Sequence, residues 1–151
     1  MGLTFNRRRL LAATALATLL SPVMALQSRA APVLRLIKDP NCGCCEGHAA
    51  YLQENGFAVT VEESSELDAL RKLHRVPDHL VGCHIIFADT YVIEGHVPAA
   101  AITRLLSERP GIRGISVPGM PEGSPGMSGT KEAPLIVYEI ADTGMKVFMT
   151  E

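Results

Sequence analysis

The stretch Val33-Leu34-Arg35-Leu36-Ile37 breaks off at Lys38-Asp39-Pro40-Asn41 and runs straight into Cys42-Gly43-Cys44-Cys45, and this constrains the chain more than any other feature. A short, largely apolar run that ends on a turn cluster reads as a buried strand. From Cys45 the apolar positions Ala49 and Leu52 recur at helical spacing, and Asn55-Gly56 supplies a stop, so the spacing predicts a helix from about Cys44 to Asn55. Three thiols in four positions therefore stand where a strand turns into a helix. The positive end of the helix dipole favours thiolate, the form that binds metals and attacks disulfides. Gly43 lets Cys42 and Cys44 aim at one centre, while adjacent Cys45 is expected to point elsewhere, in a bridging role.

The rest of the chain supplies the partners of that junction. Phe57 to Val61 reads as a second strand, and Ser65 three residues before Asp68 resembles a capping box, opening a helix on Leu67, Leu70 and Leu73 that ends before Val76-Pro77. Ile85-Ile86-Phe87 and Tyr91-Val92-Ile93 flank Ala88-Asp89-Thr90 as a hairpin. Pro98 opens a third helix with Ala101, Ile102, Leu105 and Leu106 as its apolar stripe, closed by Pro110-Gly111. The order β-α-β-α-β-β-α, with a right-handed crossover between the first two strands, is that of an α/β, thioredoxin-like mixed sheet. Pro110 to Pro134 holds 6 Gly and 5 Pro in 25 residues, including Pro-Gly-Met twice, and no core element is expected there. Leu135 to Ile140 and Met145 to Thr150 read as a C-terminal β-hairpin, so this Gly/Pro/Met-rich loop is expected to pack against the domain.

At the N-terminus, Arg7-Arg8-Arg9, the apolar run Leu10 to Leu20 and Ser21-Pro22-Val23-Met24-Ala25 read as a signal peptide over residues 1–25. Ala30 and Ala31 are rival cleavage positions, and Asn6 to Leu11 resembles a twin-arginine signal, leaving Sec and Tat export both open. The expectation is a periplasmic protein with a single domain over 32–151 and no stable membrane insertion after cleavage. The whole chain carries 14 basic and 16 acidic residues, and loss of the three arginines leaves 11 against 16, which excludes a phosphate-binding nucleic-acid surface. With no Trp, 4 Phe and 3 Tyr, aromatic stacking of single strands is excluded too.

The fourth thiol, Cys83, precedes the hairpin. In a thioredoxin-like order its connection lies against the first strand-helix junction, so four sulfurs, those of Cys42, Cys44, Cys45 and Cys83, are expected to converge. Soft sulfur donors select Cu(I), Zn(II) or iron-sulfur clusters. The packed Cys-Gly-Cys-Cys offers neither the two C-x(2–4)-C pairs of structural zinc nor iron-sulfur spacing, which leaves Cu(I), several ions being held if the thiolates bridge. Met120 and Met127 add thioethers. His48, three and four residues after Cys45 and Cys44, together with His84 and His96, forms a second tier of donors, whereas His74, His79 and the acidic run Glu62, Glu63 and Glu66 read as solvated. Two other readings stay open: a thiol-disulfide oxidoreductase using the C-x-x-C pair Cys42 and Cys45, and structural disulfides such as Cys42 with Cys83.

Lys38 to Cys45, Cys83-His84, Tyr91-Val92-Ile93-Glu94-Gly95-His96-Val97-Pro98 and Val117 to Met127 together resemble the exported metal-binding domains that include the CopG-type copper-resistance proteins. The resemblance spans essentially all of the chain after the signal segment. It implies a thioredoxin-like fold in which Cys42, Cys44, Cys45 and Cys83 bridge a multinuclear copper cluster, a role in periplasmic copper resistance, other periplasmic copper-handling proteins as partners, and a capacity to change copper's oxidation state.

Overall fold

A computed structural model describes residues 31–151; the signal segment read at residues 1–25 lies outside the described residues. The elements are β1 (Val33–Lys38), α1 (Gly43–Glu54), β2 (Ala58–Glu63), α2 (Leu67–Leu73), β3 (His84–Ala88), β4 (Tyr91–Glu94), α3 (Ala99–Glu108), β5 (Gly114–Ser116), β6 (Ile136–Ile140) and β7 (Val147–Thr150), with one 3-10 turn at Asp78–Leu80. They build one seven-stranded mixed sheet in the order β2-β1-β3-β4-β5-β6-β7. β1 and β2 are parallel across the α1 crossover, as the sequence predicts, and β3 pairs antiparallel with both β1 and β4.

Alternation along the central strands explains the layering. Leu34, Leu36, Ile86 and Ile93 turn to one face and pack with Ala49 and Leu52 of α1 and Ile102 and Leu105 of α3. Ile37, Ile85 and Val92 turn to the other, beneath Leu67 of α2, Val76 and Leu80. Both faces are covered, which is why β3 and β4 read as continuous apolar runs. The buried Lys38 ammonium lies 3.3 Å from both Glu46 and Glu63, tying the end of β1 to the first turn of α1 and the end of β2.

Three expectations need correction. The Pro110–Pro134 segment does hold a core element: β5 pairs with β4 and β6, and Ile115 and Val117 are buried. It escapes a pattern search because three residues are too few to show a period; the two neighbouring strands supply its hydrogen bonds. α2 has no Ser65 cap. Its first residue follows Glu66, whose N–H donates to Ser64 Oγ at 3.0 Å. Leu73, expected on the apolar stripe, is 74% exposed, because a seven-residue helix turns Leu67 and Arg71 inward instead.

The Gly/Pro/Met-rich loop packs as a strap. At Gly47 of α1 a Cβ would stand 2.2 Å from the Gly126 carbonyl oxygen, and Gly126 itself, at φ +75°, would place a Cβ 2.4 Å from the His48 nitrogen. Backbone rests on backbone there, which only paired glycines allow. Gly126→Ala is therefore expected to cost about 1–3 kcal/mol through overlap and the left-handed φ, whereas Gly43→Ala, with open space around it, should stay within about 0.5 kcal/mol; urea unfolding of both variants checks the contrast.

Candidate metal centre

The turn after β1 delivers Cys42 as the residue preceding α1, with its N–H donating to the Asp39 carbonyl at 2.9 Å. Cys44 and Cys45 fill the first turn of the helix. Cys45 also opens the helix's buried stripe, followed by His48, Ala49 and Leu52 at i+3, i+4 and i+7. It therefore points inward with the other sulfurs, not away from them as expected from its adjacency to Cys44.

Cys83 arrives on the connection that leads into β3. The four sulfurs of Cys42, Cys44, Cys45 and Cys83 lie within 4.8 Å of one another. Cys42 and Cys45 are joined as a disulfide, and Cys44 and Cys83 are free, so the proposed Cys42 to Cys83 pairing is not formed. Cys44 Sγ is 3.6 Å from Cys42 Sγ, and Cys83 Sγ is 3.8 Å from Cys45 Sγ. Burial, and then the neighbouring Cys44 sulfur, push the Cys83 thiol up to about 12.

What places Cys83 is a buried ion pair. Glu94, the last residue of β4, has no solvent exposure; its carboxylate accepts the Gly82 N–H at 2.9 Å and lies 3.1 Å from Arg71 Nε. Arg71 also donates to the Gly82 carbonyl at 2.9 Å. Burial raises the Glu94 carboxyl, and the Gly82 N–H and Arg71 act against that rise. Gly82 packs so closely on Gly95 that a Cβ would come within 2.4 Å of its backbone. The residue after each glycine, Cys83 and His96, is thereby brought together, with His96 Nε2 3.1 Å from Cys83 Sγ.

His48, His84 and His96 form one buried group, with ring centroids 4.8 to 5.0 Å apart. Desolvation pushes His48 down to about 3, and it also lowers His84 and His96. His79 is exposed and His74 half-buried against Phe87, away from this group. Met120 is 59% exposed on the strap, and Met127 is half-buried one residue beyond the Gly126 contact. Arg71 and Gly82 drew no notice in the sequence, and Pro125 drew notice only within its Pro-Gly-Met tripeptide. Glu94 had a signal: it closes a strand that reads Tyr-Val-Ile-Glu and is buried at all four positions.

Two solved structures share this arrangement of elements. They are described as "Copper resistance protein copG- Form 1" and "Copper resistance protein copG- Form 2", at 35% and 36% identity, each with a TM-score of 0.74 and covering 80% of this chain and 98% of the other. The chain belongs to the CopG copper-resistance family. Residues 80–127 also match the family described as "Protein of unknown function, DUF411", a span that contains Cys83, His84, Glu94, His96 and the strap but not the Cys42–Cys45 turn. No curated protein matches the chain significantly. The CopG-type resemblance seen in the sequence motifs thus extends to the mixed α/β fold.

Two outcomes follow. Each histidine held neutral by burial binds a proton more readily in the unfolded chain, so it stabilises the metal-free fold above about pH 6.5 and loses that contribution as pH falls through its lowered folded-state pKa, about 3 for His48. Urea unfolding from pH 7 to 5 is expected to show stability falling by up to about 1.4 kcal/mol per pH unit for each such histidine. Glu94→Leu, which leaves Arg71 and the Gly82 N–H without their acceptor, is expected to cost about 3–5 kcal/mol, and adding Arg71→Met should recover part of it.

Proposed function

We propose that this protein is a periplasmic copper-binding protein of copper resistance, holding Cu(I) on Cys42, Cys44, Cys45 and Cys83 as a thiolate-bridged, multinuclear cluster. The observation that carries this reading is the convergence of four sulfurs within 4.8 Å from two segments nearly 40 residues apart in sequence. Thiolate suits a soft monovalent ion, and family membership with copper-resistance proteins supports copper as that ion. Among the described residues no helix is long and apolar enough to cross a membrane.

Loading needs a reduced site. Opening the Cys42–Cys45 disulfide takes two electrons and two protons, and each thiol that then binds Cu(I) gives up its proton. With the disulfide closed only two of the four thiols are available, so the four-sulfur capacity depends on redox state. We place Met120 and Met127, on the strap, as outer thioether donors to the same ions.

The observed Cys42–Cys45 bond favours a second reading, a thiol-disulfide oxidoreductase of C-x-x-C type at a helix N-terminus. Anaerobic Cu(I) titration of the reduced protein against a chelator of known affinity tests both. Several ions per chain, with ions lost in Cys83→Ser and in Cys44→Ser, are expected for a shared cluster. Weak binding, with disulfide exchange retained or faster in Cys44→Ser, would overturn it in favour of the oxidoreductase.

A further inference from the structure

Far from the metal centre, β6 begins before its neighbour β5 reaches it. The β5–β6 ladder closes at Ser116 and Tyr138, and Val117 then turns away to donate its N–H to the Glu94 carbonyl, so the first residues of β6 have no strand on that side. Leu135 exchanges two hydrogen bonds with Glu151, and Val137 pairs with Met149 of β7. In an antiparallel ladder the residue between two such positions turns its backbone groups the other way. The N–H and C=O of Ile136 therefore point into the place that β5 vacates, and among the described residues they have no backbone partner there.

That place is a groove of about 470 Å³, inside the range of roughly 300–1,000 Å³ found for ligand sites. Val117, Pro134, Leu135, Ile136 and Tyr138 make its surface largely apolar. The apolar surface continues past it, because Val147, the cross-strand neighbour of Tyr138, is 50% exposed. Two carboxylates, Glu122 on the strap and Glu132 on the approach to β6, also line the groove, and no basic side chain does. Lys131 is exposed outside that lining. Neither Glu122 nor Glu132 takes part in a salt bridge among the described residues.

We propose that this groove docks an extended segment of another protein, which adds as a short strand to Ile136, lays an apolar side chain on Val117 and Tyr138 and sets a Lys or Arg against Glu122 and Glu132. Strand addition draws affinity from main-chain hydrogen bonds and specificity from the pockets beside them. Two uncompensated carboxylates attract a basic segment and repel an acidic one. A second copy of this chain is a poor occupant. Its outer strands are β2, which ends on Glu62 and Glu63 and brings like charge, and β7, whose Phe148 carbonyl already accepts from Arg104 at 2.7 Å. The groove and the four-sulfur centre share no residue, so the proposal does not rest on the Cu(I) reading.

The test selects a displayed library of random short peptides on the metal-free protein, and the enriched sequences are synthesised and titrated by fluorescence anisotropy. They are expected to carry Lys or Arg beside apolar residues and to bind more weakly as salt rises. Glu122→Gln combined with Glu132→Gln, both at exposed positions that the fold does not depend on, should weaken binding about 3–10-fold. Methylating single backbone nitrogens of the peptide should block binding at alternate residues only, the mark of a strand pairing along one edge. The Ile136 amide should gain protection from hydrogen exchange in the complex. Failure to enrich any peptide, enriched peptides that are acidic or indifferent to the glutamine pair, methylation effects without alternation, or an unprotected Ile136 amide would each overturn the proposal. So would sedimentation showing that a second copy fills the groove. The Cu(I) count of the reduced protein reads a different centre, so either reading can fail alone.

Discussion

The carboxylate of Glu94 is held entirely out of water, and the geometry of the metal centre depends on it. Its two oxygens take the Gly82 N–H and the Arg71 guanidinium, and Arg71 returns a bond to the Gly82 carbonyl. A loop that would otherwise choose among many conformations is thereby fixed on both sides of one residue. Desolvating the two charges is expensive, and the pair is weak evidence for stability as such. What it secures is position: Cys83 follows the clamped glycine and meets the sulfurs at the start of α1.

That division of labour explains which parts could be read in advance. The strand-turn-helix around Cys42 to Cys45, the β3–β4 hairpin and α3 were legible because each is a local pattern of apolar spacing and turn residues. Convergence of Cys83 followed from element order alone. The disulfide partner choice did not, since Cys42 had two spacings available to it. Cys45 was misjudged because adjacency on a helix was weighed and its place in the buried stripe with His48, Ala49 and Leu52 was not. β5 was missed because its stability comes from two neighbouring strands, and the roles of Arg71 and Glu94 were missed because two charges 23 residues apart become partners only once α2 has packed over β4.

Cys83 stands at the meeting point of two chemistries. Three sulfurs and two imidazole nitrogens surround it, and the thiol is in hydrogen-bonding distance of both nitrogens. The histidines are not decoration on a thiolate site. Their hydrogens are assigned by backbone carbonyls, one at the entry to α3 and one on the strap, so the strap takes part in the electronic arrangement of the site as well as covering it.

The separation of these donors along the chain also bears on when metal can be captured. Cys42, Cys44 and Cys45 are neighbours from the moment they are synthesised, whereas Cys83, His84 and His96 join them only after the β3–β4 hairpin has paired with β1 across dozens of residues. Long-range pairing of this kind is a late event in folding. An unfolded chain thus presents a local triad of sulfurs but never the complete set of donors, and the finished sheet is what turns incidental thiol affinity into a defined site. Folding acts here as a gate on metal acquisition, set by topology and not by any residue that touches the ion.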